Sequence, residues 1–157
     1  MKSLIRIQIV AALLATPRLS AQIASMGGTS PLPEGPTPKL LSDLRWSAAG
    51  GGLEMAMLDG DPTVDGQPFT MLLRLADGAW IPPHTHNIAK RLLVVSGTLL
   101  LGHGERLDSS SVTQMPAGSF VVMPPDHAHY EGGRGVTIVA LYGIGPLRTT
   151  VVRPPTR

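Results

Sequence analysis

The sequence contains no cysteine. Disulfides, thiolate metal sites and thiol nucleophiles are therefore excluded, and any metal must be held by His, Asp, Glu or backbone oxygen. Charge is scarce. Asp, Glu, Lys and Arg make up 15% of the chain against 43% apolar residues, a balance that suits a globular domain and argues against general disorder. A basic stripe is missing too. The formal charge of +2 comes from the first 21 residues, which hold Lys2, Arg6 and Arg18 and no acid; without them 13 basic residues fall to 10 against 11 acidic, a net of −1. Nucleic acid is therefore not an expected partner. No apolar run approaches the roughly 20 residues of a membrane-spanning helix. There is no phosphate-cradling glycine loop and no serine-nucleophile elbow. After residue 50 no stretch of useful length repeats with a helical period.

What is present is punctuation. Gly 18 and Pro 15 are high for 157 residues, and they interrupt short apolar runs without any period, as turns do in an all-β fold. The start, "MKSLIRIQIVAALLATPRLSAQ", has a basic beginning, an apolar stretch from Ile9 to Ala15 and small residues at Ser20–Ala21. This is the pattern of a signal peptide over 1–21, so a periplasmic or secreted destination is expected. Residues 22–44 read as a Pro/Gly-rich linker or N-terminal arm, with a short helical turn in "KLLSDLRW". From there to residue 153 come eight or nine short strands: "GLEMAMLDGD", "PFTMLLRLADG", two in "KRLLVVSGTLLLGHG" around Ser96–Gly97, "SVTQMPAG", "SFVVMPPD", "HAHYEGG", "GVTIVALYG" and "LRTTVVRP". Strands at such spacing form a β-sandwich or a small barrel.

The histidines carry the chemistry. Four of the five fall in two H-x-H pairs, His84/His86 and His127/His129, each closely preceded by Pro-Pro. On a strand, residues i and i+2 share a face. Two such strands side by side would converge three or four imidazoles on one point, and neutral imidazole is the commonest nitrogen ligand of borderline divalent metals. The fifth, His103, reads as an exposed loop residue.

Residues 78–97, "GAWIPPHTHNIAKRLLVVSG", resemble the first cupin motif, G-x5-H-x-H-x3–4-E-x6-G, through Gly78, His84, His86 and Gly97. Residues 118–133, "GSFVVMPPDHAHYEGG", resemble the second, G-x5-P-x-G-x2-H-x3-N, through Gly118, Pro124 and His129. The resemblance implies a single cupin domain of bacterial type over 45–153, an all-β double-stranded β-helix (jelly-roll) barrel that often pairs as a homodimer. It also implies a divalent metal, iron, manganese or zinc, held by His84, His86 and His129. Three positions depart from the motifs. Lys90 stands where the family's metal-binding glutamate falls, Asp126 replaces a glycine, and Gly133 replaces an asparagine.

A charged lysine has no lone pair and repels a nearby cation, so Lys90 is no ordinary ligand. Three arrangements follow. Lys90 turns outward, leaving three histidines and water; or His127 supplies a fourth nitrogen; or the metal has been lost and a histidine-lined pocket remains. The first is the working expectation. Glu54 and Glu131 are the acids to examine as stand-ins for the missing glutamate, and Trp80 and Arg74 are candidates for contact with a small-molecule ligand. Three neutral imidazoles leave the metal's full charge, which suits acidifying a bound water or binding an anionic or chelating molecule. The expected function is an exported cupin acting on or binding a small organic molecule, by oxygenase, isomerase or lyase chemistry. The alternative is a metal-free binding or sensing protein.

Overall fold

The structure, a computed structural model, describes residues 34–152. The expected signal peptide and most of the linker lie outside the described residues. An entry segment contains a 3-10 turn, Leu41–Asp43, within "KLLSDLRW". Nine strands follow among the described residues: β1 (Ser47–Gly50), β2 (Leu53–Asp59), β3 (Pro68–Leu75), β4 (Trp80–His86), β5 (Lys90–His103), β6 (Thr113–Pro116), β7 (Phe120–Met123), β8 (His129–Ile144) and β9 (Thr149–Val151). They form one antiparallel sheet, curled into a jelly-roll barrel, in the order β1-β2-β3-β8-β4-β9, with β5 joining β8 to β6 and β7. No helix among the described residues is long and apolar enough to cross a membrane.

Two of the expected breaks are not breaks. "KRLLVVSGTLLLGH" is one strand, β5, and "HYEGGRGVTIVALYGI" is one strand, β8. Ser96–Gly97 reads as a turn by composition. Here it is a bulge: the β5–β8 register shifts between Val94 and Ser96 and again between Ser96 and Thr98. Gly97 has φ 74°, and a Cβ there would come within 2.6 Å of Thr137 Oγ1 and of the Val136 carbonyl. Only glycine meets both demands. The bend lets β5 pair with β7 through its first half and with β6 through its second, which is how a long strand rounds the corner of a barrel.

Alternation builds the interior. Leu92 and Val94 of β5, Leu73 and Leu75 of β3, and Val139 and Leu141 of β8 point inward into one apolar cluster. Each such burial contributes on the order of 1.5–3 kcal/mol. Met71 and Met123 belong to this core, Met55 packs at its edge, and Met57 is exposed. The outer face is unusually apolar around β5 and β7, where Leu93, Val95, Phe120 and Val122 are exposed.

Candidate metal centre

The centre is built where β4 meets the start of β8. His84 lies opposite His129 in the ladder. The β4–β8 register slips between Ile81 and His84, at Pro82–Pro83. Proline has no N–H to give a ladder, so a Pro-Pro step is tolerated at a bulge. The slip turns His84 and His86 to the inside. Their ring centroids lie 4.8 Å apart, and the His129 ring lies 4.3 Å from His84 and 5.4 Å from His86. One nitrogen from each ring falls within 4.8 Å of the others. With metal–imidazole bonds of about 2.1 Å, ring movements below about one ångström bring all three onto a single ion.

Hydrogen bonds orient the rings. His84 Nδ1–H donates to the Pro82 carbonyl at 2.8 Å, and His129 Nδ1–H donates to the His127 carbonyl at 2.8 Å. A carbonyl only accepts, so each of these rings keeps its Nε2 lone pair free. His86 Nδ1 lies 3.1 Å from Thr149 Oγ1 on β9. The Nε2 atoms of His86 and His129 are buried and have no hydrogen-bond partner among the described residues. Buried polar atoms are rarely left so; two such ring nitrogens within one cluster of three fit a metal ion. Burial also keeps the rings neutral, as ligands must be. It lowers His84 below its ordinary value, His86 to about 3 and His129 to about 4, and the Lys90 ammonium adds to each shift.

Lys90 does not turn outward. It is 1% exposed, and its ammonium donates to Glu131 Oε1 at 3.2 Å; Glu131 is 2% exposed. Lys90 shares the inner face of β5 with Leu92 and Val94, and Glu131 shares that of β8 with His129, from whose Nε2 its Oε1 lies 3.8 Å away. Burial pushes the Glu131 carboxyl up, but Lys90, the imidazoles and the Lys90 hydrogen bond together hold it below its usual range.

Other expected residues stand elsewhere. His127 precedes β8, so strand alternation does not govern it. Its side chain is exposed and its Nε2 lies 3.0 Å from His103 Nδ1; only its carbonyl serves the centre. Glu54 and Arg74 face each other on the outside, 2.7 Å apart, with the guanidinium 4.1 Å over the Trp46 ring. Neither reaches the interior. Trp80 precedes the Pro-Pro slip and so faces the other way from His84. Its ring covers Gly132 and lies 6.3 Å from Tyr130. Asp126, which replaces the motif glycine, has φ 57°, the one positive value among the described non-glycine residues, and its N–H donates to the His86 carbonyl at 2.7 Å. Asp tolerates this left-handed backbone better than most residues. A groove of about 520 Å³ lies under the entry segment, among Lys39, Asp43, Leu44 and Met57, and none of the histidines lines it.

A family model described as the ChrR cupin-like domain matches residues 39–147. No curated protein matches the chain. Among solved structures, an RmlC-like cupin from Shewanella frigidimarina superposes with a TM-score of 0.56 at 19% identity, covering 70% of this chain and 90% of that one. KdgF from a Halomonas species gives 0.52 at 15%, covering 66% and 90%. Salicylate 1,2-dioxygenase from Pseudoaminobacter salicylatoxidans, in complex with gentisate, gives 0.55 at 14%. It covers 67% of this chain, and this chain spans only 30% of that enzyme. At these identities the likeness is one of fold.

Proposed function

Since the chain belongs to the family of ChrR cupin-like domains, we propose that its barrel holds one divalent transition metal through Nε2 of His84, His86 and His129 and binds or transforms a small organic molecule beside it. The observation that carries the proposal is the pair of buried, partnerless Nε2 atoms within one cluster of three. A bound iron, manganese or zinc ion would supply Lewis acidity or, for iron or manganese, oxygen activation. This chain's own residues set the rest. The Pro82 and His127 carbonyls fix two rings, Thr149 steadies the third, and the apolar wall from Leu92 to Leu141 limits water. That one structural neighbour was solved with gentisate supports an organic ligand in a barrel of this shape.

The test is elemental analysis of untagged protein after loading with iron, manganese and zinc in turn. One equivalent of metal is expected, lost in His86→Ala. Absence of metal under every loading condition would defeat the proposal. A second reading, a metal-free receptacle, has the buried Lys90 ammonium in its favour, and that same outcome would select it.

Two further parts of the reading concern the whole protein. The 1–21 pattern supports export, checked by fractionating cells that express the full chain. The exposed row of Leu93, Val95, Phe120 and Val122 supports a homodimer, because monomers rarely leave neighbouring strands so apolar. Sedimentation of Phe120→Lys against the parent protein checks it, with dissociation expected.

A further inference from the structure

The interior has an unusual charge count. An imidazole that donates Nδ1–H and ligates through Nε2 is neutral, so the three histidines add nothing. The charged side chains buried among them are Lys90 and Glu131, and they answer each other at 3.2 Å. A divalent ion placed on the three Nε2 atoms would therefore keep its double positive charge, with no further buried carboxylate among the described residues to offset it. A charge so placed in a low-dielectric interior is costly unless paired.

The ammonium is also only partly used. Lys90 has three N–H groups, and among the described residues one hydrogen bond is made, to Glu131. It is buried with the histidines, and the Glu131 oxygen it meets at 3.2 Å lies 3.8 Å from His129 Nε2, so the ammonium stands within about 7 Å of that nitrogen. Glu131 holds it there, through an oxygen common to both contacts.

We propose that the ligand of this centre is a small organic anion, a carboxylate or an enolate, whose charged group lies between the metal ion and the Lys90 ammonium, with Glu131 as the residue that positions Lys90. The inference rests on the metal reading above and names the ligand class for it. A neutral molecule of the same shape forgoes the ammonium and leaves the ion's charge unmet, so it binds less well.

The test uses Co(II)-loaded protein, its visible d–d spectrum and calorimetry, with salicylate as the anionic probe and salicylamide as its uncharged counterpart. Cobalt content is measured for every variant. The parent protein is expected to prefer salicylate by about tenfold or more, the worth of one charge-assisted hydrogen bond. In Lys90→Met/Glu131→Gln, which removes both charges and leaves no buried ion unpaired, the preference is expected to fall to about threefold or less with cobalt retained. Glu131→Gln alone keeps an acceptor for Nζ but removes the competing charge, so salicylate is expected to bind more tightly. A merely structural role for the pair would weaken binding in both. An unchanged preference in the double variant overturns the proposal. Weaker salicylate binding in Glu131→Gln overturns the role given to Glu131. Parent protein that takes up no cobalt defeats the metal centre and this proposal together, whereas cobalt retained with the preference unchanged defeats this one alone.

Discussion

Among the described residues the barrel carries two Lys or Arg ion pairs, one on each side of its wall. Arg74–Glu54 is the shorter, at 2.7 Å, with side chains 32% and 40% exposed. Lys90–Glu131 is longer, at 3.2 Å, and almost wholly buried. Distance does not rank them. The outer pair exchanges water for a partner of similar worth, and such pairs contribute about 0–1 kcal/mol. The inner pair has no water to fall back on. Forming it adds little net stability, yet removing one member strands a charge at a cost of about 3–5 kcal/mol. The difference teaches that the inner pair's value is conditional: each member is needed because the other is there.

The largest effect should come from splitting the inner pair. In metal-free protein, Glu131→Ala leaves the Lys90 ammonium alone beside three imidazoles, and urea denaturation is expected to show a loss of about 3–5 kcal/mol. Lys90→Met/Glu131→Gln should recover most of it. If the double variant is as unstable as Glu131→Ala, the pair's conditional character is disproved.

A smaller effect should follow from acid. His86 and His129 titrate at about 3 and about 4 when folded, against 6.5 as free side chains. Between 6.5 and those values the unfolded chain binds more protons than the native one, so stability is full above that window and falls as pH drops through it. Glu131, also held low, adds a loss of the same sign at the acid end. Denaturation midpoints of chelator-treated protein should therefore fall from about pH 7 to about pH 4.5. A flat profile would show that the rings are not buried as neutral groups.

The smallest effect belongs outside. Arg74→Ala removes the guanidinium from both Glu54 and the Trp46 ring, and a loss of about 1 kcal/mol or less is expected, with bound metal unchanged. A loss of metal on this substitution would mean that the outer pair reaches the centre after all.

The comparison also shows how far sequence could reach. His84 and His86 were legible as a same-face pair, and His129 through the second motif. Glu131 follows from the same rule, two residues beyond His129 on one strand. Lys90 was not legible, because both faces of β5 are apolar. Lys90-Leu92-Val94 and Arg91-Leu93-Val95 each begin with a cation and continue with hydrophobic residues, so alternation cannot tell inside from outside. The face that Trp80 takes was not legible either, for a different reason. Counting by twos from His84 puts it on the inner face, but the slip at Pro82–Pro83 reverses the parity. His127 failed because β8 starts only at His129. The merged strands β5 and β8 were hidden by glycines that bend a strand as readily as they end one.

The contact between Thr149 and His86 separates that ring from its two companions. A carbonyl leaves an imidazole no choice, whereas a hydroxyl serves as giver or taker. His84 and His129 therefore present their Nε2 lone pairs as they stand, while His86 can hold its proton on either nitrogen, and a bound metal would hold it to one. The grip of the centre on an ion would then be tuned from β9, a strand of three residues that, among the described residues, pairs with β4 alone. The barrel would owe the last adjustment of this site to its shortest strand, at the edge of the sheet.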